Sequence, residues 1–240
     1  MKEYEIYSNL KTPKGTNIII RLDGRKFHTL SEKINLKKPY DYKFSQIMAE
    51  VSLSLFKEFS PKFIYTFSDE ISILLSEIPF SNRIEKINSV FASIASSSFT
   101  VNLNKTFNIQ NQIISFDSRI IPLNNEDIVK YFKWRQDEAW RNCINSYGIW
   151  ALNQEYSKEE ANKKFKGLKS KDIHELLFQK NINLNNIEVW QKRGIGLYKK
   201  NKEIEGFNPK TQEKTKSTRK YIYIDYNLEL FKKDFFKKIL

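Results

Sequence analysis

The chain has 240 residues, with 41 Lys and Arg against 28 Asp and Glu for a formal net charge of +13, and it is long enough to bury a large core as one domain or as a domain with a smaller appendage. A single cysteine excludes an intrachain disulfide framework and a cysteine-based zinc site, and points to a reducing, cytoplasmic setting. Met1 to Ile6 lacks the apolar core of a signal peptide, and no run approaches the roughly 20 apolar residues that cross a bilayer, so the basic excess suggests nucleic acid before membrane, with compositional drift on a solvated surface as the alternative.

In chain order, Asn17-Ile18-Ile19-Ile20 is short, apolar and β-branched, which predicts a buried strand delivering Asp23 to its end. Gly24 then lets the backbone turn and approach a ligand closely. Phe44, Ile47, Met48, Val51 and Leu55 recur at helical spacing. Next, Phe63–Phe67 and Ile71–Leu75 read as two strands with little between them except Ser68-Asp69-Glu70, a hairpin with carboxylates at its tip. The intervening helix returns the chain to the same sheet edge, so the two acidic clusters can meet. Ser81 is expected to cap a helix with Ile84, Ile87, Phe91 and Ile94 as its buried stripe. Gln112–Phe116 and Arg119–Ile121 read as strand, ending at Pro122.

This strand-helix-strand-strand-helix-strand order predicts an α+β fold, a polymerase- or cyclase-like palm with an antiparallel sheet flanked by helices, over residues 1–135. Residues 136–240 are expected to form a helix-rich extension with extra strands, packed on the palm. Asp127 to about Leu152 reads as helix, Ser157-Lys158-Glu159-Glu160 as a capping box, and Ser170 to Phe178 as a further helix. Val189–Tyr198 and Lys220–Ile224 look like strands, and the polar, basic stretch Asn208–Lys220 between them like a mobile loop.

Either acidic cluster alone is ordinary turn chemistry. Together they fit a two-metal site for nucleotidyl transfer, which uses divalent ions roughly 3.5–4 Å apart. Magnesium takes oxygen ligands and keeps waters, so Asp23, the Gly24 carbonyl, Asp69 and substrate phosphates suffice; Glu70 would orient or tune the site. Arg21 and Arg25 flank Asp23, and Arg83 and Lys86 share a helix face. For Arg83, Lys86 and Arg119, a solvated face or an ion pair is the alternative to phosphate binding. His28 by itself reads as a core histidine, His174 as structural or surface, and Phe99, Phe107, Trp140 and Trp150 as core aromatics.

The run Arg21-Leu22-Asp23-Gly24-Arg25-Lys26-Phe27-His28, followed by Lys38-Pro39 and Ser68-Asp69-Glu70-Ile71-Ser72, resembles the tRNA-histidine guanylyltransferases and their relatives, the 3′-to-5′ tRNA polymerases. Phe116-Asp117-Ser118-Arg119, Trp134-Arg135-Gln136 and Trp190-Gln191-Lys192-Arg193-Gly194 follow in the family's order, so the resemblance covers residues 17–196. It implies the palm, two magnesium ions, ATP and GTP or other nucleoside triphosphates as substrates, tRNA as partner, and a homodimer or homotetramer. It implies nucleotide contacts for Asp23, Gly24, Arg25, Lys26, Phe27, His28, Lys38, Ser68 and Asp69; Arg21, Arg83, Lys86 and Arg119 are candidate phosphate contacts, the last three by a looser match, and Asn145 or Ser146 replaces the motif's last asparagine. The implied reaction adenylylates a tRNA 5′-monophosphate, displaces AMP with the 3′-hydroxyl of a nucleoside triphosphate, and removes pyrophosphate.

One departure bears on specificity. Eukaryotic members carry His-Ile-Asn-Asn-Leu-Tyr-Asn after Trp-Arg-Gln, with the histidine reading an anticodon base, whereas Trp140 stands at that place here. The form looks more like archaeal and bacterial relatives that extend truncated tRNA 5′ ends against a template. Lys199, Lys200, Lys210, Lys214, Lys216, Arg219 and Lys220 are expected either to meet tRNA phosphates or to be a solvated loop. A palm-fold nucleotide cyclase and a non-catalytic RNA-binding protein are the alternatives, the first without the Gly-Gly-Asp-Glu-Phe of diguanylate cyclases.

Overall fold

Ile18, Ile19, Ile20 and Leu22 are all at most 1% exposed, so successive side chains of β1 (Asn17–Gly24) are covered on both faces and the strand must be central. In the computed structural model, which describes residues 1–208 and 213–239, β1 lies between β3 (Glu70–Leu74) and β4 (Phe116–Leu123). The sheet continues through β2 (Phe63–Phe67), β5 (Ile195–Asn208) and β6 (Glu213–Asp225) in the order β4-β1-β3-β2-β5-β6, with every pairing antiparallel. This is the expected palm, widened on one side by strands from the C-terminal part of the chain.

Alternation along β1 sorts the two layers. Ile18, Ile20 and Leu22 pack with Ile64, Ile71 and Ile73 against α2 (Tyr42–Phe59) and α3 (Ile84–Phe107), whose Val51, Leu55, Phe91 and Phe99 are fully buried. Asp41 caps α2 by accepting from the amides of Lys43 and Phe44. On the opposite face Ile19, Phe63, Tyr65 and Leu74 meet Phe132 of α4 (Asn125–Leu152) and Phe235 and Phe236 of α8 (Lys233–Ile239). The far half of α4 carries a third cluster, Cys143, Ile144 and Tyr147, against Ile173 and Leu177 of α6 (Ser170–Gln179). Short helices α1 (Phe27–Lys33), α5 (Lys158–Phe165, with the Ser157/Glu160 capping box) and α7 (Val189–Arg193) complete the chain. No described helix is long and apolar enough to cross a membrane.

Four local expectations are corrected. Ser81 does not cap α3: it sits in a 3-10 turn over Phe80–Asn82 with a left-handed backbone, and Arg83 holds the cap position without a side-chain bond. Gln112 to Ser115 is irregular, and β4 instead runs from Phe116 through Pro122 to Leu123. Proline is tolerated because β4 is the edge strand, with an outer side that pairs with nothing. Val189 to Arg193 is helix, not strand; Gly194, at φ +74°, then turns the chain into β5 so tightly that a Cβ there would lie 2.6 Å from the Thr66 carbonyl oxygen. Glu213 to Lys220 is not a loop but part of β6, paired residue for residue with Asn201–Asn208 from Asn201↔Lys220 to Asn208↔Glu213. Beyond Tyr198 the ribbon side chains whose burial is described are largely exposed, and the backbone pairing imposes no hydrophobic alternation on the sequence.

Candidate active site

Register brings the carboxylates together. Asp23, the penultimate residue of β1, stands opposite Glu70 of β3 and opposite Asp117 of β4. The Gly24 amide donates to the Asp69 carbonyl at 3.1 Å, which ties the end of β1 to the tip of the β2–β3 hairpin. At that tip Ser68 adopts φ +50° and its hydroxyl donates to Asp69 Oδ1 at 3.0 Å. Burial pushes the Asp69 carboxyl above its usual range, and the charge of Asp23 adds to the rise; the groups opposing it are its own backbone and the Ser68 hydroxyl, not a cation.

Glu70 is treated differently. Nε and Nη2 of Arg135, on α4, donate to its two oxygens at 2.8 and 2.6 Å, and the two side chains are only 8% and 12% exposed. The guanidinium lies between the rings of Phe67 and Trp134, 5.3 and 4.4 Å from their centroids. Burial still raises Glu70 above its ordinary value, against the pull of Arg135 and Arg21. The protein therefore neutralises Glu70 itself, while Asp69, raised by burial, feels the charge of Asp23 with no cation opposing it. Hard oxygen donors under mutual repulsion fit Mg2+, which is held by one or two carboxylates plus substrate oxygens. Among the described residues no three His, Cys, Asp or Glu side chains form a preformed cage, so any ion here would share its ligands with substrate.

A cavity of about 410 Å3 opens beside Asp69 and is lined by Phe27, His28, Lys38, Ser68, Asp69 and Asn145 among others. Phe27 is core as well as wall, 6% exposed and edge-on to Phe44, Phe99 and Phe116. Its ring lies so close to Gly24 that a Cβ there would stand 2.5 Å away, which accounts for the glycine after Asp23. His28 is 80% exposed at its side chain and 3.9 Å from Glu32, and Lys38 Nζ reaches Ser31 Oγ at 3.4 Å. Tyr40 and Trp190 meet edge-on at 6.1 Å on the far wall, where the Tyr147 hydroxyl donates to Gln191 at 2.5 Å.

The other expected residues lie elsewhere. Arg21 and Arg119 face each other across β1 and β4 on the sheet face that carries Asp23, with Arg119 also 3.5 Å from Asp117. Arg25 and Lys26 are exposed at the entry to α1. Arg83 and Lys86 stand at the start of α3, where Arg83 bonds the Phe80 carbonyl and Lys86 lies over the Phe80 ring; neither lines the cavity. A half-turn on, Asn88 accepts from the Ser118 hydroxyl, so this basic end of α3 borders the edge strand that carries Arg119. Lys214, Lys216, Arg219 and Lys220 are exposed on β6, and Lys210 lies outside the described residues.

The family model described as tRNAHis guanylyltransferase matches residues 1–124, and the one described as Thg1 C terminal domain matches residues 126–232. The chain belongs to the tRNAHis guanylyltransferase family. It is 30% identical to a probable tRNA(His) guanylyltransferase of Dictyostelium discoideum over 97% of this chain and 96% of that one, and 31% identical to the probable enzyme of Drosophila melanogaster over 76% and 67%. A bacterial tRNA(His) guanylyltransferase-like protein in complex with ATP superposes with a TM-score of 0.77 at 28% identity, covering 100% of this chain and 97% of that one. The Saccharomyces cerevisiae tRNA(His) guanylyltransferase gives 0.71 at 26% identity over 80% and 90%. The chain is thus a nucleotidyltransferase by family.

Three residues at the site stand in the family motifs without a role that the motifs assign. Asp117 was read only as part of Phe116–Arg119, though pairing puts it opposite Asp23. Arg135 had a visible signal: it falls on the apolar stripe Ile128, Tyr131, Phe132 and Ala139 of α4, and a buried arginine requires a buried partner. Trp134, its neighbour, is 50% exposed while Trp190 is 9% exposed and Trp140 and Trp150 are half-buried against the third cluster.

Proposed function

We propose that this protein adds nucleotides to the 5′ end of tRNA in the 3′-to-5′ direction, and that it does so by templated extension of more than one truncated tRNA rather than by marking histidine tRNA alone. The observation that supports the catalytic part is the Asp69 carboxylate, which feels the charge of Asp23 with no cation opposing the rise and is tied to the end of β1 by the Gly24–Asp69 backbone bond at the mouth of the cavity. Asp23, the Gly24 carbonyl and Asp69 would hold Mg2+, which when bound neutralises charge on a triphosphate and on departing pyrophosphate.

The chain's own residues do the placing. His28, Lys38 and Ser68 line the cavity and orient the phosphates of a nucleotide, with Asn145 at the opposite rim and Arg25 and Lys26 at the turn into α1. Arg21 and Arg119 take the phosphates of a second nucleotide on the open sheet face, with Arg83 and Lys86, on α3 behind the same edge strand, as further phosphate contacts. ATP adenylylates a tRNA 5′-monophosphate with release of pyrophosphate; the 3′-hydroxyl of a nucleoside triphosphate then attacks that phosphorus and displaces AMP, and pyrophosphate is finally removed from the new 5′ end, while a triphosphorylated tRNA end skips activation and loses pyrophosphate in the attack. Lys214, Lys216, Arg219 and Lys220 meet the tRNA backbone, and with a palm over 1–135 and an extension over 136–240 that contact belongs to the extension. A cytoplasmic homodimer or homotetramer completes this reading.

The specificity part rests on Trp140. It is half-buried, with its ring 5.8 Å from that of His174, and an indole only donates, so it cannot reproduce a histidine that both donates and accepts at an anticodon base. Recognition then falls on acceptor-stem shape and phosphates, which carry little tRNA identity. Parallel kinetics on histidine tRNA and two other tRNAs, each lacking its first nucleotide, test this. Comparable kcat/KM values are expected; a preference for histidine tRNA above about 100-fold, roughly 2.7 kcal/mol, overturns it.

A further inference from the structure

α4 covers only part of its sheet face. Tyr131 meets Ser72 at 2.9 Å, Arg135 holds Glu70 and Phe132 packs on Phe63, so the helix lies over β2 and β3. The ends of β1 and β4 stay open, and on that shelf Arg21 stands opposite Arg119 and Asp23 opposite Asp117. Like charges directly opposite one another on a sheet are unfavourable, so a paired guanidinium shelf beside paired carboxylates suits a ligand that carries its own anionic and cation-binding groups. Trp134 forms the wall of this shelf. Its indole is half exposed, with Arg21 5.8 Å and Arg135 4.4 Å from the ring centroid and Tyr131 edge-on at 5.9 Å.

An exposed indole costs hydration unless something covers it, and here it is held rigid by aromatic and guanidinium neighbours rather than tucked into the core. A large flat apolar face next to a guanidinium, here that of Arg21, is the arrangement on which nucleobases stack, with the arginine taking the attached phosphate. The 410 Å3 cavity lies on the Ser68–Lys38 side of Asp69 and does not include Trp134. The site therefore has two flanks, and a reaction joining two nucleotides needs both. We infer that Trp134 is the stacking platform for the base of the nucleotide held on the open shelf, either the terminal residue of the RNA or the incoming triphosphate, while the cavity holds the other.

This rests on the nucleotide-addition reading, and the two can fail separately. Trp134→Ala, Trp134→Phe and Trp134→Leu are compared in the full chain, with KM measured separately for 5′-triphosphorylated truncated tRNA and for nucleoside triphosphate. Loss of the platform should raise KM for one of the two substrates roughly tenfold or more, with kcat within about threefold by the same reasoning that stacking acts on binding rather than bond-making. Phe should restore most of the loss and Leu should not, because only Phe supplies a π face. The substrate whose KM moves identifies which base lies on the shelf. If Leu rescues as well as Phe, or if kcat falls with both KM values unchanged, Trp134 only shields the Arg135–Glu70 pair and the inference fails. An inactive wild type would instead defeat the nucleotide-addition reading.

Discussion

At the scale of single residues, the account separates carboxylates that the protein neutralises from those it leaves for the substrate and its metal. Replacing Asp23 or Asp69 by Ala should cost roughly 10²–10³-fold in nucleotide addition, the range for losing one strong electrostatic contributor, while tRNA affinity and unfolding change little; retention of a tenth of wild-type turnover would contradict the assignment. Because burial and the charge of Asp23 both disfavour ionised Asp69, Asp69→Asn should raise Tm in metal-free buffer even as it removes activity, and a lowered Tm would mean that Asp69 has a stabilising partner. Cys143 offers a control on packing. It is fully buried, and burial pushes its thiol up to about 12, so an alkylating reagent at pH 8 should label it only after denaturation. The motif residues were legible because phosphate chemistry needs acids and glycine in fixed positions. Trp134 and Arg135 stand in the Trp134-Arg135-Gln136 motif, but their roles do not follow from it, because those come from α4 crossing β2 and β3, as in the Arg135–Glu70 separation of 65.

At the scale of elements, the α4–β3 clamp and the β5–β6 ribbon are the two devices that local sequence patterns describe least well. Arg135→Met leaves Glu70 buried without its cation, which should destabilise the fold by about 3–5 kcal/mol, whereas adding Glu70→Gln should recover a large part of that loss. Burial already raises Glu70 above 4.5, so in Arg135→Met the native state binds more protons than the unfolded chain above that value. The penalty should therefore be full at neutral pH and shrink as pH falls towards 4.5. Denaturant unfolding at pH 7.5 and 5.5 would show it, and a pH-independent loss would assign the effect to packing alone. β1, α2, the β2–β3 hairpin and α4 could be read from periodicity since each buries an apolar stripe. The ribbon could not, because pairing by backbone alone leaves its side chains free to be lysine and threonine. The short turns around Ser81 and Val189 failed for a related reason: three- and five-residue helices carry too few positions for any period to declare itself.

At the scale of the whole molecule, the basic ribbon and the carboxylate site occupy one continuous sheet, since β5 pairs with β2 immediately beside the hairpin that carries Asp69. Changing Lys214, Lys216 and Lys220 together to Ala should flatten the slope of log affinity against log salt by about 2–3, since each neutralised phosphate contributes close to 0.9 to that slope; an unchanged slope would remove the ribbon from the tRNA surface. The central claim is that the Asp23–Asp69 site joins a nucleotide to an RNA 5′ end. The most direct measurement incubates the protein with tRNA lacking its first nucleotide, Mg2+, ATP and labelled nucleoside triphosphates, and maps the label on the product. The account predicts tRNA one or more nucleotides longer at its 5′ end with wild type, and none with Asp69→Ala. A cyclic nucleotide, bound but unextended tRNA, or extension that survives Asp69→Ala would contradict it.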